Sequence, residues 1–403
     1  MKHTFGSMFN NDWSPYTAMG IAGILSALYF GITGTVWAVT GEFTRLGGHI
    51  LQMFGVDISG WGYFNLIHMN GTTFGRTNGW IVWGMFIGAL IMVLFSNNFK
   101  IRIPKQKRRL LQGLIGGIIA GIGARLALGC NLAAFFTGVP QFSLHSWIFI
   151  IATAIGTYLG TKMVNTKWWK GKPALQKGNT ATPDAKTRKI QPYVGGIIAL
   201  LYTGLIVYFF ISGQKMLGVA AVFGTAFGIL IERGQICFTS AFRDLWISGR
   251  ATMTKAITAG MAISSVATLV IILMYGLEPI TKVAAPSTFI GGVLFGIGIV
   301  LAGGCETGMM YRLMEGQIVF LPVFIGNIIG ATGLAYAWDH LGVYNLLVKS
   351  GGAKLNLITL MGPAGALLAT LVLLGIGFAI AVYWQKNYRF GVGFKKGDYN
   401  HVN

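Results

Sequence analysis

The sequence predicts an all-α polytopic membrane protein of about eight to ten transmembrane helices, built as two inverted repeats with broken or re-entrant glycine–cysteine segments. Three observations predict it. Of the 403 residues, 54% are hydrophobic and only 10% are charged. Charge is absent from the runs 13–41, 77–99, 126–161, 192–214, 256–277, 283–305, 318–338 and 355–385, each long enough to cross ~30 Å of hydrocarbon as a helix. One phrase also occurs twice, "GIGARLALGC" at 121–130 and "GIGIVLAGGC" at 296–305, and each copy ends on one of only three cysteines.

The basic residues order the elements. Much of the formal charge of +20 lies in three clusters: Lys100, Arg102, Lys105, Lys107, Arg108 and Arg109; then Lys162 to Lys189; then Lys386 to Lys396. Each cluster hugs the end of an apolar run. That pattern marks cytoplasmic loops and argues against nucleic acid as a partner. Elements near 18–37 and 79–97 go out and back to the first cluster, and elements near 111–128 and 144–161 do the same to reach the second. A lone crossing near 193–212 moves the chain outside. Elements near 217–232, 255–275, 288–304 and 318–338 follow, and 364–385 returns to the basic tail. The order is four, one, four, one, with both termini in the cytoplasm. The corresponding units are a first membrane repeat (1–162), a basic cytoplasmic linker (163–192) containing "KGNTATPDAKTRK", a second repeat with flanking helices (193–385) and a basic tail (386–403). The first apolar run is too long for the h-region of a cleavable signal and lacks its small-residue exit.

Between 115–130 and 290–305, ten of sixteen positions are identical, including five glycines and the cysteine. The lone crossing at 193–212 starts the second quartet on the opposite side from the first. The duplicated units are therefore inverted, an architecture that gathers a solute site near the midplane. A looser match pairs "GTVWAVTG" at 34–41 with "GQICFTSA" at 234–241, setting Trp37 opposite Cys237.

Glycine clustered where an apolar run meets polar residues, at Gly129-Cys130-Asn131 and at 303–308, signals a broken helix. Such backbone survives at membrane depth only inside protein or along a watery cavity, and its freed N–H groups suit an anion. A buried cysteine is most often a small hydrophobe, but here two of the three stand at equivalent positions after glycine. Their spacing matches no metal motif and histidine is not clustered with them, so no metal or cofactor is expected. Among charges at depth, which mark function, Glu306 adjoins Cys305, and Arg125 precedes Cys130 with only Val300 opposite in the repeat. Glu232-Arg233 and Arg243-Asp244 flank Cys237, and Arg312 is spaced to pair with Glu315 across one turn. Snorkelling to the interface is the plain reading of Arg125 and Arg243. His68 and His145 read as interfacial.

Together "GIGIVLAGGCETG", "GIGARLALGCNLA" and "ERGQICFTSAFRD" resemble the YeeE/YedE-type sulphur transport family over nearly the whole chain, and are similar to its longer YedE branch, which is linked to selenium metabolism. The best-understood relatives take up thiosulfate past three motif cysteines on a constricted central path. The resemblance implies that Cys130, Cys237 and Cys305 contact substrate, with Gly129, Gly304, Glu306 and Arg125 beside them. Two features differ. The "CF" motif of the thiosulfate-transporting relatives sits in their N-terminal half and here in the C-terminal half, and the first-half motif reads "GCNLA" where a glycine-rich form is commoner.

The function these readings imply is a non-enzymatic permease of the bacterial inner membrane. It would import a small sulphur- or selenium-containing anion, thiosulfate-like or a selenium oxyanion, past three thiols. A cytoplasmic sulphur or selenium carrier protein is a further expected partner beside the anion and the lipid bilayer. A neutral thiol is a soft, weak S–H donor, suited to a terminal sulphur or selenium, and weak sites in series let a ligand enter and leave. The alternative is a membrane sulphurtransferase passing a persulfide or selenide to a cytoplasmic partner.

Overall fold

The computed structural model describes residues 12–69, 71–170, 185–349 and 351–388. The chain begins with α1 (Pro15–Thr33), which breaks and resumes as α2 (Thr40–Met53). The short α3 (Gly62–Leu66) leads to α4 (Thr77–Phe95). Next, α5 (Arg108–Leu126) breaks into a single π-helical turn (Asn131–Phe136), followed by α6 (Leu144–Val164), the short α7 (Lys167–Lys170) and α8 (Ala185–Ile211). The second half repeats the scheme. It runs through α9 (Lys215–Arg233), a break, α10 (Phe238–Ser248), α11 (Thr252–Tyr275), α12 (Pro286–Ala302), a break, α13 (Glu306–Met314), α14 (Phe320–His340) and α15 (Leu357–Asn387). Two-residue strands β1 (Val283–Ala284) and β2 (Ala353–Lys354) pair antiparallel beside the start of α12.

Among the described residues, ten segments are long and apolar enough to cross a bilayer, and they coincide with the ten expected elements. The protein is an all-α, multi-pass membrane protein. Of the segment expected to be a linker, 171–184 lies outside the described residues, while 167–170 and 185–192 are helical. The expected basic tail is described only as far as 388, and the first eleven residues also lie outside the description.

Each of the four breaks contains a residue in the left-handed region: Gly34 (φ 68°), Leu128 (φ 56°), Gln235 (φ 48°) and Gly303 (φ 84°). Such a residue stops a helix and turns the chain. At two breaks the turning residue is the glycine's neighbour. Gly129 and Gly234 serve close approach instead, because a Cβ on Gly129 would meet Lys282 Nζ and Ala134, and one on Gly234 would meet Ala18.

Packing runs mainly between the halves, in symmetric pairs. Helix α4 lies on α9 as α11 lies on α1, and α14 lies on α5 as α12 lies on α6. The equivalent helices α5 and α12 cross each other directly: a Cβ on Gly116 would strike Ala302 and one on Gly123 would strike Phe295 and Gly291, so they run antiparallel. That is the arrangement inverted repeats require. Glycine at the crossing lets the backbones touch and gain dispersion contacts that side chains would prevent. The lone helices α8 and α15 flank the bundle, on α4 and α11 respectively, with only 17% and 22% of their apolar windows buried.

Candidate functional site

The breaks set three thiols at helix entries. Cys237 immediately precedes α10, Cys305 immediately precedes α13, and Cys130 immediately precedes the π-helical turn. All three are free, buried and part of one continuous core. Trp37, the residue aligned with Cys237, is buried near the remaining break. It stacks on Phe227 with ring centroids 3.9 Å apart, and its Nε1–H points at Met85 Sδ, 3.2 Å away.

Two of the thiols meet: Cys237 Sγ and Cys305 Sγ are 3.9 Å apart. The first amide of α10, Phe238 N–H, donates to Cys305 Sγ at 3.3 Å, and Thr307 Oγ1 lies 3.0 Å from the same sulphur. Gly308 completes the pocket, since a Cβ there would stand 2.6 Å from Cys237 Sγ. Gly304 closes the other side under the Phe320 ring. The pair is thus held by a backbone donor, by the Thr307 hydroxyl and by the room that Gly308 leaves. Among the described residues no sulphur contact joins Cys130 to the pair, and Phe238 packs edge-on against Phe135 and Phe136 at 5.6 and 6.1 Å.

The sequence-selected charges are distributed as follows. Glu306 is 3% exposed and accepts from Asn327 Nδ2 at 3.1 Å. Arg125 does not snorkel, contrary to its plain reading. It is 4% exposed and donates to Thr40 Oγ1, because the break before α2 brings that hydroxyl alongside. Among the described residues no ion pair joins Arg125 to Glu306. Glu232 and Arg233 pair with one another in full burial, and Arg233 also reaches Ser96. Arg312 and Glu315 do not pair as their spacing suggests. Arg312 Nη1 donates to Gly303 O at 3.2 Å, while Glu315 turns to Gln235, Gln317 and Arg102, which the 98–109 loop pins beside it. His145 is fully buried at the start of α6, with Nε2 2.7 Å from Ala127 O. His68 stays in the loop after α3 with φ 50°.

Lys282 escapes the sequence reading. It adjoins β1, donates from Nζ to Ala133 O at 3.0 Å and stands against Gly129, so a cation flanks the Cys130 break. Burial pushes its ammonium down to about 8. Its signal in the sequence is a single charge abutting the run 283–305. Thr307 was also missed, although it lies within the quoted cysteine motif. Among the described residues, no three metal-ligating side chains cluster.

Broken, inverted helices enclosing buried free thiols define a polytopic helical membrane protein with its polar backbone ends gathered at its centre. The family described as sulphur transport matches residues 2–159 and 233–396. The chain is 49% identical over 383 residues, 93% of each protein, to "Probable transporter YedE" of Salmonella typhimurium, and 48% identical over the same length and shares to its namesake from Escherichia coli. It is also 41% identical over 97 residues, 24% of this chain and 27% of the relative, to "Thiosulfate transporter TsuA" of Escherichia coli. The protein belongs to the sulphur-transport family.

Proposed function

We propose that the protein is a permease importing a small sulphur- or selenium-containing anion along a central route past Cys130, Cys237 and Cys305. The observation that carries this reading is the meeting of Cys237 and Cys305 at 3.9 Å, at the entries of two broken helices, in a member of the sulphur-transport family. Relatives named as transporters, one of them of thiosulfate, support it. On this reading the thiols offer S–H donors to a terminal sulphur or selenium. Gly129 admits Lys282 beside the Cys130 break, and Gly304 admits the Phe320 ring beside Cys305. Arg125 and Lys282 offset the solute's charge near Cys130, and Glu306 limits how long it stays near Cys305.

The same reading places the protein in a bacterial inner membrane, with the basic clusters and both termini in the cytoplasm and a cytoplasmic carrier receiving the product. It takes 1–162 and 193–385 as the two repeats, 163–192 as the link between them and 386–403 as the tail. The test is paired uptake of radiolabelled thiosulfate and selenite by cells lacking their own carriers, wild type against Cys305→Ala. Uptake of one label that is lost in the variant is the expected result and names the chalcogen. No uptake of either label, with intact protein in the membrane, overturns the permease and favours the sulphurtransferase.

A further inference from the structure

A cavity of about 550 Å³ opens beside the thiol pair, with Gly303, two residues before Cys305, in its wall. Arginines from three elements converge on it: Arg109 at the start of α5, Arg243 on α10 and Arg312 on α13. No carboxylate lines it among the described residues. The local charges do not cancel. Arg243 is paired with Asp244 at 3.0 Å, which also takes Arg250 at 3.3 Å. Among the described residues no carboxylate contacts Arg312, which donates to the Gly303 carbonyl and lies over the Tyr311 and Phe320 rings at 5.3 and 5.6 Å. Glu315, the nearest acid along the chain, is engaged with Arg102, Gln235 and Gln317. Apolar walls from Val300, Val319 and Phe320 keep the dielectric low and concentrate the field of the guanidinium groups.

We propose that this cavity is an oxyanion site, in which Arg109 and Arg312, with Arg243 at the edge, hold a small tetrahedral oxyanion, either free in solution or as the phosphate of a lipid headgroup. The guanidinium fork matches two oxygens of such an anion and is strengthened by its charge. As a waiting place beside the thiols the site rests on the permease reading; as a binding site it does not.

The experiment measures equilibrium binding of radiolabelled sulfate and thiosulfate to the full-length protein in phosphatidylcholine nanodiscs. Saturable binding is expected in wild type and in Lys215→Gln, whose cation lies away from the cavity. Arg109→Gln and Arg312→Gln are each expected to weaken it about tenfold or more. Arg109 is exposed, so its variant decides the matter if Arg312→Gln fails to fold. Binding unchanged in Arg109→Gln overturns the site. Repeating the measurement in phosphatidylglycerol discs separates the two sources of phosphate-like charge. Sulfate binding that persists there assigns a free oxyanion. Loss of it, with a lipid retained in native mass spectra of wild type and released by Arg109→Gln, assigns the headgroup. Uptake in the same variants keeps the two proposals apart: binding without any wild-type uptake overturns the permease and leaves the site, whereas normal uptake and binding in the arginine variants overturns the site and leaves the permease.

Discussion

At the scale of single residues, the centre is defined by what touches sulphur. Cys237 and Cys305 need to close from 3.9 Å to about 2 Å to bond, a movement within the reach of side chains. A mild thiol oxidant is therefore expected to lower the thiols titratable after denaturation from three to one, leaving Cys130 free; peptide mapping that finds Cys130 in the bridge contradicts the geometry. Gly308→Ala drives a methyl against Cys237 Sγ. It is expected to reduce uptake severely while the protein stays in the membrane, and a variant with wild-type uptake shows that the thiol position is immaterial. Lys282 has a sign that can be worked out. Its pKa in the fold, about 8, lies below the usual 10.5, so folding favours the neutral amine and this group adds stability as pH rises from 8 towards 10.5. Its charge is present below about 8 and lost above. Arg125, Cys130 and His145 face it. Uptake that relies on this charge is expected to fall between about pH 7 and pH 9, and Lys282→Arg, which stays charged, is expected to flatten the profile. Cys130 and Cys305 were legible in the sequence because each ends a copy of the repeated phrase, and Cys237 because it stands in the motif "ERGQICFTSAFRD". Lys282 and the Arg312–Gly303 bond were not, because each depends on a loop or break whose direction no periodicity encodes.

At the scale of elements, eight of the ten apolar segments were legible because exclusion of charge over 20 residues or so has few other meanings; the two near 111–128 and 217–232 are shorter and were placed by counting crossings between the basic clusters. Two of the four breaks, at 129–131 and 303–308, were legible in position from their glycine clusters but not in mechanism. Leu128 and Gln235 make two of the turns while their neighbouring glycines admit Lys282 and Ala18. Propensity points to the permissive residue; packing decides which residue carries the strain. The α5–α12 crossing offers a direct test. A Cβ on Gly123 would fall on backbone atoms of Phe295, which cannot step aside as a side chain can. Gly123→Val is expected to cost about 3 kcal/mol or more, seen as lost monodisperse protein and a lowered Tm in detergent. Gly375, on the outer helix α15, has nothing within 4 Å, and Gly375→Val is expected to leave both unchanged.

At the scale of the whole molecule, the duplication was legible and the interlock was not. Identity between 115–130 and 290–305 reports common ancestry of two segments, but it carries no information on which surfaces they bury. In the fold each half supplies the partners of the other: α4 needs α9, α11 needs α1, α14 needs α5 and α12 needs α6. Residues 1–170 made alone are expected to be degraded. Chains cut between 170 and 185 and made together are expected to assemble, and co-purification through a tag on one piece is the check. Accumulation of either half alone in a stable form contradicts the interlock. The interlock also bears on how anything could move through such a body. Backbone contacts at α5–α12 leave little room for the two halves to slide past one another there, so a gate as small as a rotating ring or a shifting thiol is the expected kind. Passage of that kind has the thermal signature of a filter: a shallow dependence of flux on temperature, without the steep barrier that reorienting a whole domain imposes.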